Sequence, residues 1–461
     1  MATKRLGRTA NLGATNPRAV GVGHDRRAVF WYDAGTPFPG LRALPTVLGT
    51  VLMLAFVRPD RGVRRLLTLR PVLWLGAISY SAYLWHQPLF AFARLGSANE
   101  PPAWVFGGLA ALSLLLGYLS WHFVEAPFRA GSRWSRQAVF AGSAVLTIVF
   151  IGCGAMLVVT QGLPQRWSAA TGALIDPPKT RIVGRPAVDD WLQVRAIGQP
   201  GQPAEVVLLG DSHADALATA LDDTLRRAGK GGVVVHTACH PIAGLFDSRE
   251  PTTPQRVAYC AEADRRLLEH VARPEVRGVL LAVRWTARLY PMGDRIDAQA
   301  FDNHEGGVER NLPFRRNLAL DDKGRMSDDA DPKQRRLARY LADLAALRPT
   351  LVLDPVPEVG WTPQRLNLLA VTAGHPPPAF LSTAWDRYRE RNAVALELLH
   401  AVALPQLLHS QPQALLCNTA IAGRCVVQAE GVLYYADDNH LSARGAQPVV
   451  DDMLARLPLR P

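Results

Sequence analysis

The stretch Ala204-Glu205-Val206-Val207-Leu208-Leu209-Gly210-Asp211-Ser212-His213 decides how the chain is read. Ala204–Leu209 is a short apolar run, the length expected of a parallel strand buried on both faces. Gly210-Asp211 interrupts it, and Ala214–Arg227 continues with helical spacing. A serine placed directly after a buried strand, at a helix start, sits on a tight turn at the C-terminal edge of the sheet. Backbone N–H groups at that helix start can stabilise an oxyanion. A serine that merely caps a helix has the same local signature, so Ser212 needs partners before it counts as a nucleophile.

The partners lie near the other end, in Asp437-Asp438-Asn439-His440-Leu441-Ser442. An aspartate three residues before a histidine can accept the proton of one ring nitrogen and fix the tautomer. The other nitrogen is then available as a base toward a serine. Asp437 has that spacing, and Asp438 is the weaker candidate; taken alone, the stretch also reads as a surface turn. Between the two motifs, Val233–His236, Val276–Val283 and Leu351–Asp354 are strand candidates. Lys333–Leu347 and Ala384–Ala403 carry helical patterns. Strands alternating with helices predict an α/β three-layer domain with a parallel sheet. The charged, turn-rich residues 288–333 read as a surface excursion.

The first third of the chain is different. The 461 residues carry 51 Lys+Arg and 40 Asp+Glu, a net charge of +11. Residues 1–160 hold 16 basic and 5 acidic side chains, and residues 161–461 hold 35 of each. The excess is therefore crowded among apolar runs, which argues for a membrane protein and against a nucleic-acid partner. Pro71–Ala93, Trp104–Val124 and Gln137–Thr160 each meet the roughly 20 apolar residues that a spanning helix needs. Ala43–Val57, with Pro45, is a marginal fourth. Arg58, Arg61, Arg64, Arg65 and Arg70 fill one loop, and Arg129, Arg133 and Arg136 another. Arginine-rich loops face the cytoplasm, so alternation places everything after Thr160 outside. The tail with Lys4, Arg5, Arg8, Arg18, Arg26, Arg27 and Arg42 does not fit that scheme. Within the first long span, His86 and Gln87 are polar groups beside Pro88, either functional or a helix-packing hydrogen bond at a kink. The domain boundaries that follow are an atypical tail at 1–32, a membrane part at 33–160, a Pro-rich linker at 161–203 and an α/β domain at 204–461.

ISYSAYLWHQPLF (78–90) and WHFVEAPFR (121–129) resemble the closing helices of the bacterial integral-membrane O-acyltransferases, the acyltransferase-3 family. TPFPGLRALPTVLGT (36–50) resembles the start of one of that family's late helices. The resemblance covers roughly residues 33–160 and implies that the family's early helices, with their acyl-donor histidine and arginine residues, are missing. The chain then reads as the C-terminal portion of a longer enzyme, or as one whose missing helices come from a partner chain. GDSH (210–213) with DxxHLS (437–442) resembles the SGNH hydrolase family, also called GDSL-like. That resemblance implies Ser212 as nucleophile, His440 as general base and Asp437 as its orienter. Where the family keeps oxyanion helpers, a glycine and an asparagine in a GxND block, this chain has Arg284-Trp285. The pair resembles the acyltransferase-fused SGNH domains and gives Arg284 an oxyanion or substrate-contact role, the alternative being a structural arginine packed on Trp285.

Of five cysteines, Cys153 lies in the last span and the other four lie in the α/β domain. Four cysteines allow three pairings, and Cys239/Cys260 with Cys417/Cys425 joins sequence neighbours. Each bridge would stabilise by about 3 kcal/mol and needs an oxidising space, in keeping with the outward placement. Neither pair has zinc-site spacing, and no metal is expected although His240 adjoins Cys239. The resemblances together imply a multi-pass inner-membrane O-acyltransferase with a periplasmic C-terminal domain and no bound cofactor. Acetyl-CoA is the donor expected for the intact family, and the acceptor a cell-surface glycan such as lipopolysaccharide O-antigen. A periplasmic carbohydrate esterase is the alternative, and a truncated, non-catalytic remnant that anchors or binds glycan is a third reading.

Overall fold

A computed structural model describes residues 43–56, 65, 67–98, 100–129, 135–177, 186–188, 191–248, 252–289, 301–309, 317–321 and 323–458. The tail at 1–32, and Arg58, Arg61, Arg64 and Arg133 of the basic loops, lie outside these residues. The chain divides into two compact units, Met1–Ala93 with Pro101–Ala141, and Arg94–Glu100 with Gly142–Pro461.

The apolar runs of the first third form helices α1 (Leu44–Phe56), α2 (Arg70–Leu95), α3 (Ala103–Ser120) and α4 (Arg136–Val159). A π-helical turn, Trp121–Glu125, and a short helix, Ala126–Arg129, extend α3. Among the described residues, Ala103–Phe128 and Arg136–Val159 are long and apolar enough to cross a membrane by length and composition. The remaining expected span, Pro71–Ala93, falls on α2, which does not meet that measure of composition. α2 has 26 residues, but its serines, tyrosines, His86 and Gln87 dilute the apolar run. α1, at 13 residues, is shorter than a bilayer requires. α2 and α3 meet through small residues: a Cβ on Gly117 would lie 2.8 Å from the Ala82 backbone. Close approach of this kind is how apolar helices gain packing where no hydrophobic drive separates them from lipid. Trp85 donates to Ser120 Oγ at 2.8 Å, and the Ser81 hydroxyl donates to Glu125.

The second unit is built on a seven-stranded sheet. Its strands are β1 (Pro186–Val188), β2 (Leu192–Gly198), β3 (Ala204–Gly210), β4 (Gly231–Thr237), β6 (Gly278–Ala282), β9 (Thr350–Leu353) and β11 (Leu407–Ser410), in the order β1-β2-β4-β3-β6-β9-β11. The five strands from β4 to β11 are parallel, and β2 pairs antiparallel with β4, as β1 does with β2. β3 is the hinge of this topology. From it the chain moves outward to β4 on one side and returns past it to β6 on the other. The C-terminal end of β3 is therefore the point where strand order reverses, the place where open α/β sheets leave a crevice.

Alternation along β3 sends Val206 and Leu208 to one face and Val207 and Leu209 to the other. On the first face they pack with Leu217 and Leu221 of α5 (Ser212–Arg227) and Val449 and Met453 of α10 (Ala443–Arg456). The opposite face is covered by Leu267 of α6 (Pro254–Val271), Leu341 of α8 (Ala330–Leu347) and Leu399 of α9 (Trp385–His400). A five-residue helix, α7 (Trp285–Leu289), follows β6. Each of these fully buried side chains contributes about 1.5–3 kcal/mol. The three-layer α/β architecture expected from the alternation is present, with a mixed rather than wholly parallel sheet.

Two sequence readings change. The stretch 161–203 is not all linker, because it holds a helix at Ala169–Ile175 and the strands β1 and β2. Its prolines punctuate structure instead of preventing it. Nor is 288–333 a solvated excursion throughout. β7 (Asn317–Leu320) pairs with β5 (Leu245–Asp247) and with β8 (Met326–Ser327), and Phe301, Asn303 and Glu309 are buried. A third sheet joins β10 (Phe380–Ala384), β12 (Arg424–Ala429) and β13 (Val432–Leu433). The disulfides are Cys239–Cys260 and Cys417–Cys425, the pairing of sequence neighbours, and Cys153 is free and exposed.

Candidate active site

Gly210 closes β3 with φ +147°, a conformation that side chains oppose, and a Cβ there would lie 1.7 Å from the Ala282 carbonyl oxygen of β6. The chain can turn so tightly only because this residue has no side chain. Asp211, not Ser212, is the N-cap of α5, and its carboxylate accepts the His213 N–H at 3.1 Å. Ser212 is the first residue of the helix proper, and it is exposed. Its N–H belongs to the helix turn that has no intrahelical acceptors.

His440 is presented by a tight turn. Tyr435 pairs with Leu441 across it, and Ala436 N–H donates to the His440 carbonyl at 2.8 Å. Asp437 Oδ1 accepts the N–H groups of Asn439 and His440 at 2.9 and 2.8 Å, which curls the loop around the carboxylate. Asp437 Oδ2 accepts from His440 Nδ1 at 2.7 Å, and His440 Nε2 stands 2.7 Å from Ser212 Oγ. A continuous carboxylate–imidazole–hydroxyl relay results. Asp438 points elsewhere: its carboxylate accepts from Asn439 Nδ2 at 2.7 Å, and its carbonyl accepts the N–H groups of Val359 and Gly360.

The electrostatics agree with that geometry. Burial disfavours the charged form of His440, yet the hydrogen bond and charge of Asp437 outweigh it and raise the ring above the ordinary histidine value. Burial likewise opposes ionisation of Asp437, and His440 with the two loop N–H groups outweighs it, lowering the carboxyl. Asp438 is pushed up to about 6, first by burial and then by Glu309 and Asp437. A neighbouring ring, His213, is lowered to about 4, chiefly by burial, and so is neutral at physiological pH. It lies against His440 at 5.0 Å between centroids and faces Asn439 Oδ1 at 3.2 Å.

A model of the family described as "SGNH domain (fused to AT3 domains)" matches residues 182–455, well over half of the chain. The chain belongs to that family. The match starts before Ala204, in agreement with β1 and β2 being part of the sheet. YrhL of Bacillus subtilis (strain 168), provisionally named a peptidoglycan O-acetyltransferase, is 28% identical over 166 residues, 30% of this chain and 26% of YrhL. The peptidoglycan O-acetyltransferase OatA of Listeria monocytogenes is 26% identical over 18% of this chain and 14% of its own. The chain thus spans about a quarter or less of the length of these curated relatives. Among solved structures, the periplasmic domain of a lipopolysaccharide acetyltransferase from Salmonella ser. Paratyphi A aligns with a TM-score of 0.34 at 12% identity, covering 55% of this chain and 83% of that one.

In this SGNH domain the Arg284-Trp285 pair is built into the frame of the site. Arg284 N–H donates to the Asp211 carboxylate, which also accepts from Arg288 Nε at 2.9 Å. The Arg284 guanidinium binds Glu358 at 2.6 Å through Nε and Glu309 at 2.7 Å through Nη1. Arg391 adds a second cation to Glu358 at 2.9 Å. Burial opposes the charge of Glu358, but Arg284 and Arg391 outweigh it and lower the carboxyl to about 2. The expected oxyanion role for the Arg284 side chain is not what this geometry supports, because two buried carboxylates already occupy its donors. Trp285 is fully buried and donates to the Leu353 carbonyl at 2.6 Å. Glu309 and Glu358 carried no sequence signal as site residues, since neither lies in a motif and they meet Arg284 only through folding. His86 belongs to the other unit, where its Nδ1 faces the Tyr83 carbonyl of the preceding turn of α2.

Proposed function

We propose that the SGNH domain transfers an acyl group, acetyl in the first instance, to a hydroxyl of a cell-surface glycan. The Ser212–His440–Asp437 relay at the switch point of the sheet is the observation that carries this reading. Ser212 Oγ attacks the acyl carbonyl carbon while His440 Nε2 takes the hydroxyl proton. The Ser212 N–H stabilises the oxyanion at the start of α5, and the imidazolium returns its proton to the leaving oxygen. A glycan hydroxyl then attacks the acyl-serine, His440 takes that proton, and Ser212 Oγ leaves as the neutral alcohol when the proton is returned. Asp437 stays ionised and holds the imidazole in the useful tautomer.

The relatives' names support O-acetylation of a glycan as the reaction class, and which glycan is the finer proposal: peptidoglycan or lipopolysaccharide. An inner-membrane protein with this domain outside the cytoplasm is supported by the arginine-rich loops, the two apolar helices and the two disulfides. The proposed source of the acetyl group is acetyl-CoA, delivered through the membrane portion. Hydrolysis is the second reading, favoured by one observation: Ser212 is exposed, so water reaches the acyl-enzyme as readily as a sugar does. The full chain in detergent, given an activated acetyl ester and either peptidoglycan fragments or O-antigen oligosaccharides, separates the two. The proposal expects an acetylated glycan that forms only with Ser212 present. Free acetate alone, with every glycan tested, makes the protein an esterase.

A further inference from the structure

Asp354, His400 and His409 form a cluster apart from the Ser212 relay. Asp354 directly follows β9 and is 1% exposed. His400 Nε2 lies 3.0 and 3.1 Å from its two carboxylate oxygens, and His409 Nδ1 lies 3.0 Å from one of them. The two imidazoles stand 4.4 Å apart between centroids, and one donor atom from each of the three residues falls within 4.8 Å of the others. They come from three elements, since His409 is on β11 beside β9 and His400 is the last residue of α9.

A buried carboxylate needs a compensating positive charge. Elsewhere in the domain arginines supply it, as at Glu358 and Asp211. At Asp354 the paired groups are two histidines, which bring charge only if they hold a proton or share a metal ion. The spacing suits a metal. Donors about 2.0–2.1 Å from a tetrahedral zinc ion stand roughly 3.3 Å apart. The nitrogen–oxygen separations here need to widen only slightly to admit one. Two imidazoles and one carboxylate are the donor set of zinc sites with three protein ligands, and imidazole disfavours calcium and magnesium. The His400 side chain is 42% exposed, leaving a route from solvent and a place for a fourth ligand.

We propose that Asp354, His400 and His409 bind one divalent metal ion of the zinc class, fastening the end of α9 to β9 and β11. The expectation of no metal rested on cysteine spacing, and these three residues, scattered over 354–409, form no motif. None of these three residues belongs to the Ser212 relay. The test uses tag-free full-length chain in detergent, stripped with chelator and titrated calorimetrically with zinc chloride. One equivalent should bind, magnesium should not displace it, and cobalt should give the strong visible absorption of a tetrahedral site. His400→Ala and His409→Ala should each lose that equivalent. Metal-free His400→Ala and His409→Ala should keep the circular dichroism of the metal-free wild type, which separates ligand loss from misfolding. No bound equivalent in the wild type overturns the proposal. So does an equivalent that survives both substitutions, or one that is lost in His440→Ala instead.

Discussion

At the scale of single residues, the relay makes a definite statement about pH. His440 must be neutral to accept the Ser212 proton, and Asp437 raises the pKa of the ring. The base form therefore appears only above that raised value, and activity falls as pH drops through it, at a point above the ordinary 6.5. In Asp437→Asn the charge that raises the ring is gone. The acid limb of kcat/KM against pH should move to lower pH while the plateau drops by about 10²–10⁴-fold. A plateau reduced with the limb unmoved would assign Asp437 to positioning alone. The three relay residues were legible in the sequence because each sits in a short motif whose spacing already reflects the chemistry. Asp211 and His213 stood inside the same motif, but what they do there was not legible. Their partners, Arg284, Arg288 and Asn439, are brought to them from more than 70 positions away by the fold.

The scale of elements explains which parts of the fold could be read in advance. β3, β4, β6 and β9 are nearly unbroken apolar runs, as strands in the middle of a parallel sheet must be. β2, antiparallel to both its neighbours, carries Gln193 and Arg195, and β11 has only four residues, so neither announces itself. The β3–α5 turn depends on Gly210, and Gly210→Ala should destabilise the domain by about 3 kcal/mol or more, seen as a lower unfolding midpoint. The Arg284 frame is similarly exacting. Glu358→Ala removes the buried carboxylate that Arg284 and Arg391 share, breaking the network at a cost of about 3–5 kcal/mol. Glu358→Ala with wild-type thermal stability would show that the network does not hold the site together. The disulfides close loops of 21 and 8 residues. Reduction should therefore lower the melting temperature of the wild type, by an amount that Cys239→Ser with Cys260→Ser reproduces in part, each bridge contributing about 3 kcal/mol.

For the molecule as a whole, the charge of +11 acquires a location and a meaning. The residues from 161 onward are balanced, and the excess belongs to the apolar N-terminal third. The family assignment covers the domain, while the membrane part offers two helices able to span by length and composition. That difference has a physical origin: a catalytic turn imposes residue types at fixed positions, whereas a spanning helix needs only apolar length. The proposed reaction depends above all on Ser212 carrying the acyl group covalently. The most direct measurement is peptide mass analysis of the full chain after brief exposure to an activated acetyl ester and acid quench. The account predicts one acetylated peptide, the one containing Ser212, and no adduct, with turnover reduced at least about 10³-fold, in Ser212→Ala. An acetyl group found on another residue, or undiminished turnover by Ser212→Ala, would contradict it.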